Sequence, residues 1–506
     1  MRPLKTLSLA VVGLLLVLAA VVAFLTRDVA ITSWSMMWNS ITGSPGPRAE
    51  AGVVIQQLQV PPGWQLSVYA DAVPEARTLR PTLAGDLLVS QPRLGQITLL
   101  GRDANGDGHP DRQTVLMSGL NRPHGIDVAD GYLYVGETDA VGRVAFNEAS
   151  GEITGTYSHV ITGLPEGGNH WSRSVRIGPD GWLYVHVGSS CNACTEEHPW
   201  RATLLRARPD GSELAVYASG LRNSVGFDWA PWSAELYATD NGRDLLGDDL
   251  PPCELNRIVQ GGFYGWPFIN GFNVLDPDNG AGHEALLKTA IAPAHGFRAH
   301  NAPLGIRFLR HQPPALARSA LVALHGSWNR SKADGYKVVR LVWDGNGGNI
   351  TELPFISGFE KDGNIIGRPV DLAETRRGEI FVSDDYAGAV YRLVYGETPP
   401  SIPSAPQAVT PAASTPAIAK DPLAGLDADL ISASRVRGTE LCKRFACGSC
   451  HAPGTPMGEK LKTLGERYTV DTLAAFFITP RPPMPVFALS PEDRRALAIH
   501  LLSTDS

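Results

Sequence analysis

Short apolar segments alternate with turns rich in glycine and aspartate through most of the chain. Six segments share this pattern: GDLLVSQ (85–91), GYLYVGETD (131–139), GWLYVHVGSS (181–190), AELYATDNG (234–242), ALVALHGSWN (320–329) and GEIFVSDDYAG (378–388). They recur at intervals of roughly 45 to 60 residues, with one wider interval of about 85 before the fifth, and such repeats are typical of propeller blades. We predict an all-β, six-bladed propeller over residues 52–396, with an insertion in the wide interval. A β-sandwich with coincidental turns is the alternative.

The pattern changes after the last repeat. Residues 397–425 are rich in proline, alanine and serine, which predicts a semi-extended linker. Residues 432–446 and 470–478 then read as short helices, and Ser490-Pro-Glu-Asp493 marks the start of a third, with proline at its first position. Leu497 and Leu501 share one face of that helix. The sequence therefore predicts a small all-α domain over residues 426–506.

The N-terminus is a basic pentapeptide followed by an apolar run. MRPLK precedes LSLAVVGLLLVLAAVVAFL (7–25), which is long enough to cross a bilayer as a helix. We predict an uncleaved membrane anchor over residues 1–30, with cleavage near Val21–Ala23 as the alternative. Because Arg2 and Lys5 favour an inside N-terminus, the body of the chain is expected on the periplasmic side of a bacterial inner membrane.

Composition narrows the choice of partners. The chain has 506 residues and a formal net charge of −7. It carries no basic patch, so nucleic acid is not expected as a partner. The 53 glycines and 39 prolines fit a turn-rich β protein.

The segment CGSCH near the C-terminus has the spacing that attaches a c-type haem. Cys447 and Cys450 would form the thioethers and His451 would be the proximal iron ligand. The sixth ligand is expected downstream at Met484, among the prolines of PRPPMPVF, with Met457 as the alternative. This part of the chain resembles class I cytochrome c, which predicts an electron acceptor.

Three polar segments lie in loops next to the predicted strands. LPEGGNHWSRSVRIGPDG contains His170, which is placed either as a base facing a pocket or as a structural histidine. ASGLRNSVGFDWAP contains Arg222 and Asn223 after a turn. The segment 238–271 is dense in carboxylate and amide oxygens, which suggests calcium, or else a solvated acidic loop.

These segments resemble the soluble-type PQQ-dependent sugar dehydrogenases. The likeness is carried by NHWSRSVRIGPDGWLY, GLRNSVGFDW and ELNRIVQGGFYGWP, while HGSWNRSKADGYKVVRL and GRPVDLA are similar to the sorbosone and aldose dehydrogenase branch. The resemblance covers roughly residues 52–396 and implies a six-bladed propeller that binds PQQ and calcium.

The resemblance also implies roles for single residues. His170 would be the general base, and Arg222 and Asn223 would contact the reactive carbonyl of the quinone. Arg368 would pair with a cofactor carboxylate. His124 lies near the position of a family glutamine and would either face the pocket or cap a turn.

Calcium is implied at two places. The backbone carbonyls of two residues would hold one ion under the cofactor: Gly242 and Arg243. Another ion is associated with the segment that contains Asp248, Asp249, Glu254 and Tyr264.

Two departures from the family put substrate choice in doubt. Asn169 stands where the family has an acidic neighbour of the base, which would make His170 less basic. The family's cofactor-binding lysine has no clear counterpart, and Arg330, Lys332 and Lys337 compete for its role.

The segment DANGDGHPD has the layout of a calcium loop. Side-chain oxygens would come from Asp103, Asn105, Asp107 and Asp111, and Gly108 would provide the turn. The acidic residue usual at the twelfth position is absent, so a plain Asx/Gly turn is the alternative.

Four cysteines remain after the haem motif. Cys191 and Cys194, in CNAC, are expected to form a local disulfide, since no other pair lies close enough in sequence for a metal site. Cys253 and Cys442 are a candidate second disulfide that would join the helical domain to the propeller.

Together these features predict a membrane-anchored periplasmic quinohaemoprotein. The propeller would oxidise a sugar or a related polyol or aldehyde with PQQ and calcium. Electrons would pass singly to the covalent haem c and then to a respiratory acceptor, which is a quinone, a cytochrome or an oxidase. A non-catalytic propeller that presents a cytochrome to a partner is the main alternative, and a calcium-dependent hydrolase or lyase is another.

Overall fold

The computed structural model describes residues 49–345, 348–396, 423, 426–444, 464, 468–477 and 489–504. The chain divides into two units, residues 1–401 and 402–506. The predicted anchor over residues 1–30, nearly all of the predicted linker, the haem motif and both candidate methionine ligands lie outside the described residues. Among the helices in the described ranges, none has the length and apolar character needed to cross a membrane.

The first unit is built from thirty strands in its described residues. It begins with helix α1 (Ala51–Ile55) and β1 (Trp64–Ala70). Blade 1 comprises β2 (Leu79–Pro81), β3 (Leu87–Gln91), β4 (Gln96–Leu100) and β5 (Gln113–Met117). Blade 2 comprises β6 (Ile126–Ala129), β7 (Tyr132–Gly136), β8 (Ala140–Asn147), β9 (Glu152–Ile153) and β10 (Ser158–Thr162). Blade 3 comprises β11 (Val175–Ile177), β12 (Leu183–Val187), β13 (Thr203–Ala207) and β14 (Ala215–Ser219).

The remaining blades follow the same order. Blade 4 begins with β15 (Phe227–Trp229), β16 (Leu236–Asp240) and β17 (Cys253–Ile258), continues through an insertion with β18 (Gly262–Phe263), β19 (Ile269–Asn270) and β20 (Val274–Leu275), and ends with β21 (His295–Phe297). Blade 5 comprises β22 (Pro303–Phe308), β23 (Ser319–Leu324), β24 (Lys337–Trp343) and β25 (Ile350–Ile356). A small hairpin, β26 (Glu360–Lys361) and β27 (Asn364–Ile365), precedes blade 6, which comprises β28 (Pro369–Glu374), β29 (Ile380–Asp384), β30 (Ala389–Tyr395) and β1. Within the described residues of the first unit, short 3₁₀ helices lie at Pro92–Leu94, Glu284–Lys288 and Pro314–Leu316.

The prediction of six blades is confirmed. Each repeated segment of the sequence contains the second strand of one blade: β3, β7, β12, β16, β23 or β29. Every residue of β3, β12, β16, β23 and β29 is buried. Since a second strand lies inside its sheet and is covered by neighbouring blades on both faces, it reads as an almost continuous apolar run.

The two ends of the propeller sequence meet in blade 6. Strand β1 pairs antiparallel with β30, with Trp64 opposite Tyr395 and Leu66 opposite Leu393. The Trp64 ring packs edge-on against Phe355 and Tyr395, with ring centroids 5.0 and 5.3 Å apart. This pairing closes the ring without a covalent link and leaves no open edge between the first and last blades.

The insertion predicted in the wide interval is confirmed. It occupies residues 259–294, between the third and fourth strands of blade 4. Its first strand, β18, pairs parallel with β14, the outermost strand of blade 3. The insertion therefore runs along blade 3 towards the end of the propeller where β14 finishes.

Ion pairs built on two buried carboxylates, Asp127 and Asp228, join neighbouring blades near the axis. Arg80 Nε lies 2.6 Å from Asp127 Oδ1, between blades 1 and 2. Asp228 in blade 4 accepts from Arg310 Nη1 at 2.9 Å and lies 3.6 Å from Arg176 Nη2 of blade 3. Asp127 thus connects blades 1 and 2, and Asp228 connects blade 4 to blades 3 and 5.

We expect Asp228→Asn to destabilise the propeller by about 2 kcal/mol at pH 7, because it removes the charge of a buried carboxylate that pairs with the partly exposed Arg176 and Arg310. Burial alone would raise the pKa of Asp228, but Arg176, Arg310 and Arg307 outweigh it and hold that pKa well below its usual value. This stabilisation is therefore present above the pKa of the unfolded carboxyl and is lost as pH falls through the folded-state value. Urea denaturation followed by tryptophan fluorescence should show the difference from wild type narrowing below about pH 4.

Asp362→Asn, in the exposed turn between β26 and β27, is the matched control and should leave stability unchanged. An Asp228→Asn protein as stable as wild type at pH 7 would contradict the prediction.

The described part of the second unit is helical, as predicted. It contains α2 (Ala428–Arg444), α3 (Val470–Phe476) and α4 (Pro491–Thr504). Ser490 Oγ accepts from the backbone N–H of Asp493 at 3.1 Å, so the predicted N-cap and the proline at the first helical position are both confirmed. A buried cluster joins the helices: Leu441, Leu464, Val470, Leu473, Phe477, Leu489, Leu497, Ala498, Ile499 and Leu502. Leu501, expected to share the buried face with Leu497, is half-buried.

Candidate functional site

Antiparallel blades bring two kinds of loop to one end of the propeller, which we call the site end. One kind connects the outermost strand of a blade to the innermost strand of the next. His124, His170 and Arg368 lie on three such loops, and Arg222 and Asn223 lie on a fourth. Because each of these loops runs in towards an innermost strand, the predicted site residues gather near the axis.

The second kind of loop connects the second and third strands of a blade. The segment Cys191–Cys194 lies on this loop in blade 3 and Gly242 on that of blade 4, while Arg330 and Asp385 lie on those of blades 5 and 6. These loops also reach the site end, so they flank the inner loops.

The predicted calcium loop at Asp103–Asp111 lies at the opposite end, between β4 and β5. Asp103 accepts from the backbone N–H groups of Gly106 and Gly108 at 2.7 and 2.9 Å. Asn105 and Asp107 each accept from a backbone N–H two residues ahead. These are the bonds of Asx turns, and calcium at this loop stays a prediction.

His170 is held in a defined tautomer. Its Nδ1 lies 3.0 Å from the carbonyl oxygen of Ser189 and 2.9 Å from Ser189 Oγ. A carbonyl can only accept, so Nδ1 carries the proton and Nε2 keeps its lone pair. Burial, with Arg222 and His186 nearby, lowers the pKa of His170 well below its usual value. The imidazole is therefore neutral at pH 7 and can act as a base.

Ser189 orients His170 in place of the acidic neighbour that the sequence lacks. The side chain at that neighbouring position, Asn169, is exposed, and its backbone N–H bonds Ser190 O at 2.8 Å. Ser189 Oγ donates to the carbonyl of Cys191 at 2.7 Å, which leaves its lone pairs for His170.

Two buried arginines brace the His170 loop. Arg173 Nη1 donates to the carbonyl of His170 at 3.1 Å, and its Nη2 donates to the carbonyl of Pro165. Arg201 Nη2 donates to the carbonyls of Glu166 and Gly167 at 2.8 and 2.6 Å. Burial and the neighbouring Arg201 lower the pKa of Arg173 to about 9.

Gly188 allows His170 and Asn223 to approach each other. A Cβ atom added at Gly188 would lie 2.6 Å from His170 Cβ and 3.0 Å from Asn223 Oδ1. Any side chain here would displace one of the two residues. The structure thus brings the predicted base and the predicted quinone-contacting residues to one place.

The Arg222 guanidinium is buried and fully engaged. Its Nη1 donates to the carbonyls of Asn241 and Gly242 at 3.1 and 3.0 Å, and its Nη2 lies 3.1 Å from Asp244 Oδ2. Asp240 accepts from the backbone N–H groups of Arg222 and Asn223 at 2.9 and 2.5 Å. The adjacent β16 strand therefore fixes the backbone of both residues.

Oxygen atoms are concentrated next to Gly242. Asp240 and Glu254 are cross-strand partners on β16 and β17, and burial raises the pKa of both carboxyls. Within the described residues, Asn223 Oδ1 and Asn241 Oδ1 are buried and accept no hydrogen bond. Such orphaned hard donors beside carboxylates fit a calcium ion.

The remaining residues of the second predicted calcium segment are not brought together. Asp248 accepts from the backbone N–H of Ser331 at 2.9 Å in blade 5, and Asp249 is exposed. The Tyr264 hydroxyl donates to the carbonyl of Arg257 at 2.6 Å. Arg257 lies three residues beyond Glu254 along β17, about 10 Å away in an extended strand.

Arg368 belongs to a charged cluster between blades 5, 6 and 1. Its Nε lies 3.1 Å from His325 Nε2 and 3.3 Å from Asp385 Oδ1. Arg77 Nη1 donates to the same carboxylate at 2.7 Å and its Nη2 lies 3.5 Å from His124 Nε2. Two guanidinium groups share the Asp385 carboxylate, and Asp384, whose pKa burial raises to about 6, accepts from the backbone N–H of Arg368. The two guanidinium groups are donors that fit an anionic group.

The three competitors for the family lysine lie in different settings. Arg330 is buried and donates to the carbonyls of Asp248 and Ala299. Lys332 is exposed, and Lys337 lies 3.6 Å from a carboxylate oxygen of Asp334. These settings do not single out one of the three as the counterpart of the family lysine.

The cysteines give one confirmation and one correction. Cys191 and Cys194 form a disulfide, as predicted. The predicted pairing of Cys253 with Cys442 is wrong, because Cys253 is a free thiol. It is 1% exposed in β17 and packs into the apolar cluster between blades 4 and 5, and burial raises its pKa to about 11. No second sulfur can reach it without opening the core.

Comparison with known proteins assigns the propeller to a family. Residues 58–250 and 273–396 match the TrAA12-like family. The chain belongs to this family. The intervening segment, which contains ELNRIVQGGFYGWP, falls outside the two matched ranges.

Similar proteins come from a bacterium, by sequence, and from fungi, by structure. An uncharacterized protein of Borreliella burgdorferi is 33% identical over 293 residues, which cover 54% of this chain and 76% of that protein. The calcium structure of a Trichoderma reesei enzyme of carbohydrate-active family AA12 aligns with a TM-score of 0.59 at 21% identity, over 67% of this chain and 97% of that one. The holo PQQ domain of pyranose dehydrogenase from Coprinopsis cinerea aligns with a TM-score of 0.58 at 21% identity, over 69% and 98%. These structural likenesses establish the fold.

Sequence reasoning missed several residues of this TrAA12-like site. They are Arg77, Arg173, Ser189, Asn192, Arg201, His325 and Asp385. The feature that could have identified them is their position, because each lies on a loop at the site end. The blade repeat alone could have identified these loops once the strand order within a blade was assigned.

We expect Arg201→Met to loosen the His170 loop. It removes bonds to the carbonyls of Glu166, Gly167 and Gly188, so backbone amides in residues 164–170 should exchange with deuterium about tenfold faster. Hydrogen exchange read by mass spectrometry measures this. Arg208→Met, at an exposed position just beyond the other end of β13, is the control, and unchanged exchange in a folded Arg201→Met protein would refute the bracing role.

Proposed function

We propose that this chain is a PQQ- and calcium-dependent dehydrogenase of a sugar or a related polyol or aldehyde. It delivers electrons to a c-type haem held by Cys447, Cys450 and His451, with Met484 as the sixth ligand, and then to a respiratory acceptor. We place it on the periplasmic side of the inner membrane, anchored by residues 1–30. One observation carries the enzymatic part: His170 presents a neutral Nε2 beside Asn223 and a buried Arg222 on adjoining loops.

The residues of the site end fit both groups that this function needs. Asn223, Asn241 and the carbonyl of Gly242 offer hard oxygen donors for calcium, with that of Arg243. Arg368 and Arg77 would face a carboxylate of PQQ. When bound, PQQ supplies a two-electron acceptor and calcium supplies a Lewis acid.

The chain's own residues then provide acid–base and electrostatic catalysis. His170 Nε2 takes the proton of the substrate hydroxyl while Ser189 O holds the proton on Nδ1. The Arg222 guanidinium stabilises negative charge as it develops, and its burial strengthens that interaction. Asp240 keeps Arg222 and Asn223 in register through their backbone N–H groups.

The comparisons support this proposal through family membership and fold. The AA12 enzyme of T. reesei was solved with calcium, and the C. cinerea domain is named for PQQ. Both align with the same propeller that carries His170 and Arg222 here. The haem and the anchor rest on the sequence motifs alone.

We expect His170→Ala to lower kcat/KM for sugar oxidation by about 10²- to 10⁴-fold, because the proton acceptor is lost. Purified protein supplied with PQQ and calcium would be screened against aldoses and polyols, with reduction of the haem absorption band as readout. His311→Ala, at an exposed position near blade 6, should retain activity. Full activity in His170→Ala would refute the role of His170, and failure of wild type to bind PQQ or oxidise any substrate would refute the function.

The pH dependence of the reaction follows from the same histidine. Because the pKa of His170 is lowered well below its usual value, Nε2 stays unprotonated at neutral pH. The acid limb of kcat/KM should therefore lie below about pH 6.5, the pKa of an ordinary histidine. An acid limb at or above that value would show that His170 is not the controlling base.

We expect Met484→Ala to abolish the low-spin absorption pattern of Met–His haem while the covalent haem is retained. Visible and near-infrared spectra of the purified oxidised and reduced protein measure this. Met457→Ala is the matched control and should keep the spectrum of wild type. A spectrum lost in Met457→Ala and kept in Met484→Ala would assign the ligand to Met457 instead.

A further inference from the structure

The Cys191–Cys194 disulfide closes a four-residue loop at the site end. The loop lies on the connection between β12 and β13, and both cysteines are half-buried. The proposed function assigns no role to this disulfide. Its two central residues are Asn192 and Ala193, and Asn192 is turned towards Arg222.

Asn192 makes a dense set of contacts with the arginine. Its backbone carbonyl accepts from Arg222 Nε at 2.8 Å, and its Oδ1 accepts from Arg222 Nη2 at 2.9 Å. The backbone carbonyl also lies 3.3 Å from Trp266 Nε1 of the insertion. One residue thus bonds both nitrogens of the Nε–Nη2 edge of the guanidinium group.

The Asn192 side chain is itself fixed by the next loop. Its Oδ1 also accepts from the backbone N–H of Asp244 at 2.8 Å, and its Nδ2 donates to the carbonyl of Asp244 at 3.0 Å. Two donors on the oxygen and an acceptor at the nitrogen define the orientation of the amide. Asp244 also pairs with Arg222, so the three residues form one network.

The same loop is connected to the base. Ser189 Oγ donates to the carbonyl of Cys191 at 2.7 Å and lies 2.9 Å from His170 Nδ1. A displacement of the disulfide loop would therefore reach both Arg222 and His170. No other residue in the described part of blade 3 contacts Arg222 through both its backbone and its side chain.

We propose that Asn192 is the positioning residue for Arg222, and that the Cys191–Cys194 disulfide holds Asn192 in place. Without the bond the loop backbone regains conformational freedom, which opposes the hydrogen bonds that hold Asn192 against Arg222 and Asp244, so Asn192 would leave that position more often. Arg222 would keep its positive charge, but its guanidinium group would no longer be held in one orientation. This inference rests on the proposed function only for its effect on catalysis, since the geometry stands by itself.

Reduction of the disulfide is a direct way to test the loop. Dithiothreitol breaks the Cys191–Cys194 bond, and each sulfur takes one electron and one proton to become a thiol. The reagent's two thiols are oxidised to its cyclic disulfide, which balances the two electrons and two protons. Cys191→Ser with Cys194→Ser removes the bond without reagent and should be insensitive to dithiothreitol.

The first readout is the chemical reactivity of Arg222 in the full chain. Phenylglyoxal modifies exposed guanidinium groups, and peptide mass spectrometry quantifies the product at Arg222, which is 4% exposed in the intact protein. In wild type, Arg222 should be protected from phenylglyoxal. The reduced protein, the double serine variant and Asn192→Ala should each be modified about tenfold faster, since the bonds that close the site are lost. In Asn147→Ala, the same truncation at the exposed end of β8, Arg222 should stay protected.

The second readout is sugar oxidation with PQQ and calcium, beginning with D-glucose. In Asn192→Ala and the double serine variant, kcat should fall about tenfold, with a smaller change in KM, because a misdirected Arg222 acts on charge that develops in the transition state. Asn192→Asp keeps an oxygen acceptor for Arg222 but loses the Nδ2 bond to the Asp244 carbonyl, so it should recover part of the protection and part of kcat relative to Asn192→Ala.

The outcomes separate this inference from the proposed function. Arg222 that stays protected after verified disulfide cleavage and in Asn192→Ala overturns the positioning role, whatever the activity. Asn192→Asp that behaves like Asn192→Ala overturns the part assigned to the side-chain oxygen. If Arg222 becomes reactive in the variants but the wild-type protein oxidises no sugar, the positioning role is supported. The same result refutes the proposed function.

Discussion

The antiparallel pairing of β1 with β30 is the contact on which the rest of the propeller depends. It joins the first and last strands of the ring, so the six innermost strands are held around a common axis. Asp127 and Asp228 then tie neighbouring blades together near that axis. Without closure, the loops at the site end would have no fixed distance between them.

The site end gains its chemistry from burial. Arg222 is a strong cation that water would screen at the surface, but here it is enclosed by carbonyls and by Asp244. The same enclosure keeps His170 neutral, since burial disfavours its charged form. A neutral base beside a fixed cation fits the proposed removal of a hydroxyl proton.

The sequence predicted much of this arrangement and failed at specific points. The second strand of each blade was found because a strand covered on both faces must be apolar throughout. His170, Arg222 and Asn223 were predicted through resemblance, and the structure places His170 and Asn223 next to Gly188, with Arg222 adjacent to Asn223 in the chain. The pairing of Cys253 was wrong because the count of cysteines carries no information on which of them is sealed in a core.

The sequence by itself determined the blade number, the insertion, the local disulfide and the capped last helix, because each follows from a local pattern of strands, turns or spacing. Only the tertiary structure decided that Ser189 orients His170, that Asn192 holds Arg222, and that Tyr264 bonds far from Glu254. These contacts join residues on separate loops or at opposite ends of a strand. Their partners depend on how the blades pack, and packing is a property of the closed ring rather than of any one segment.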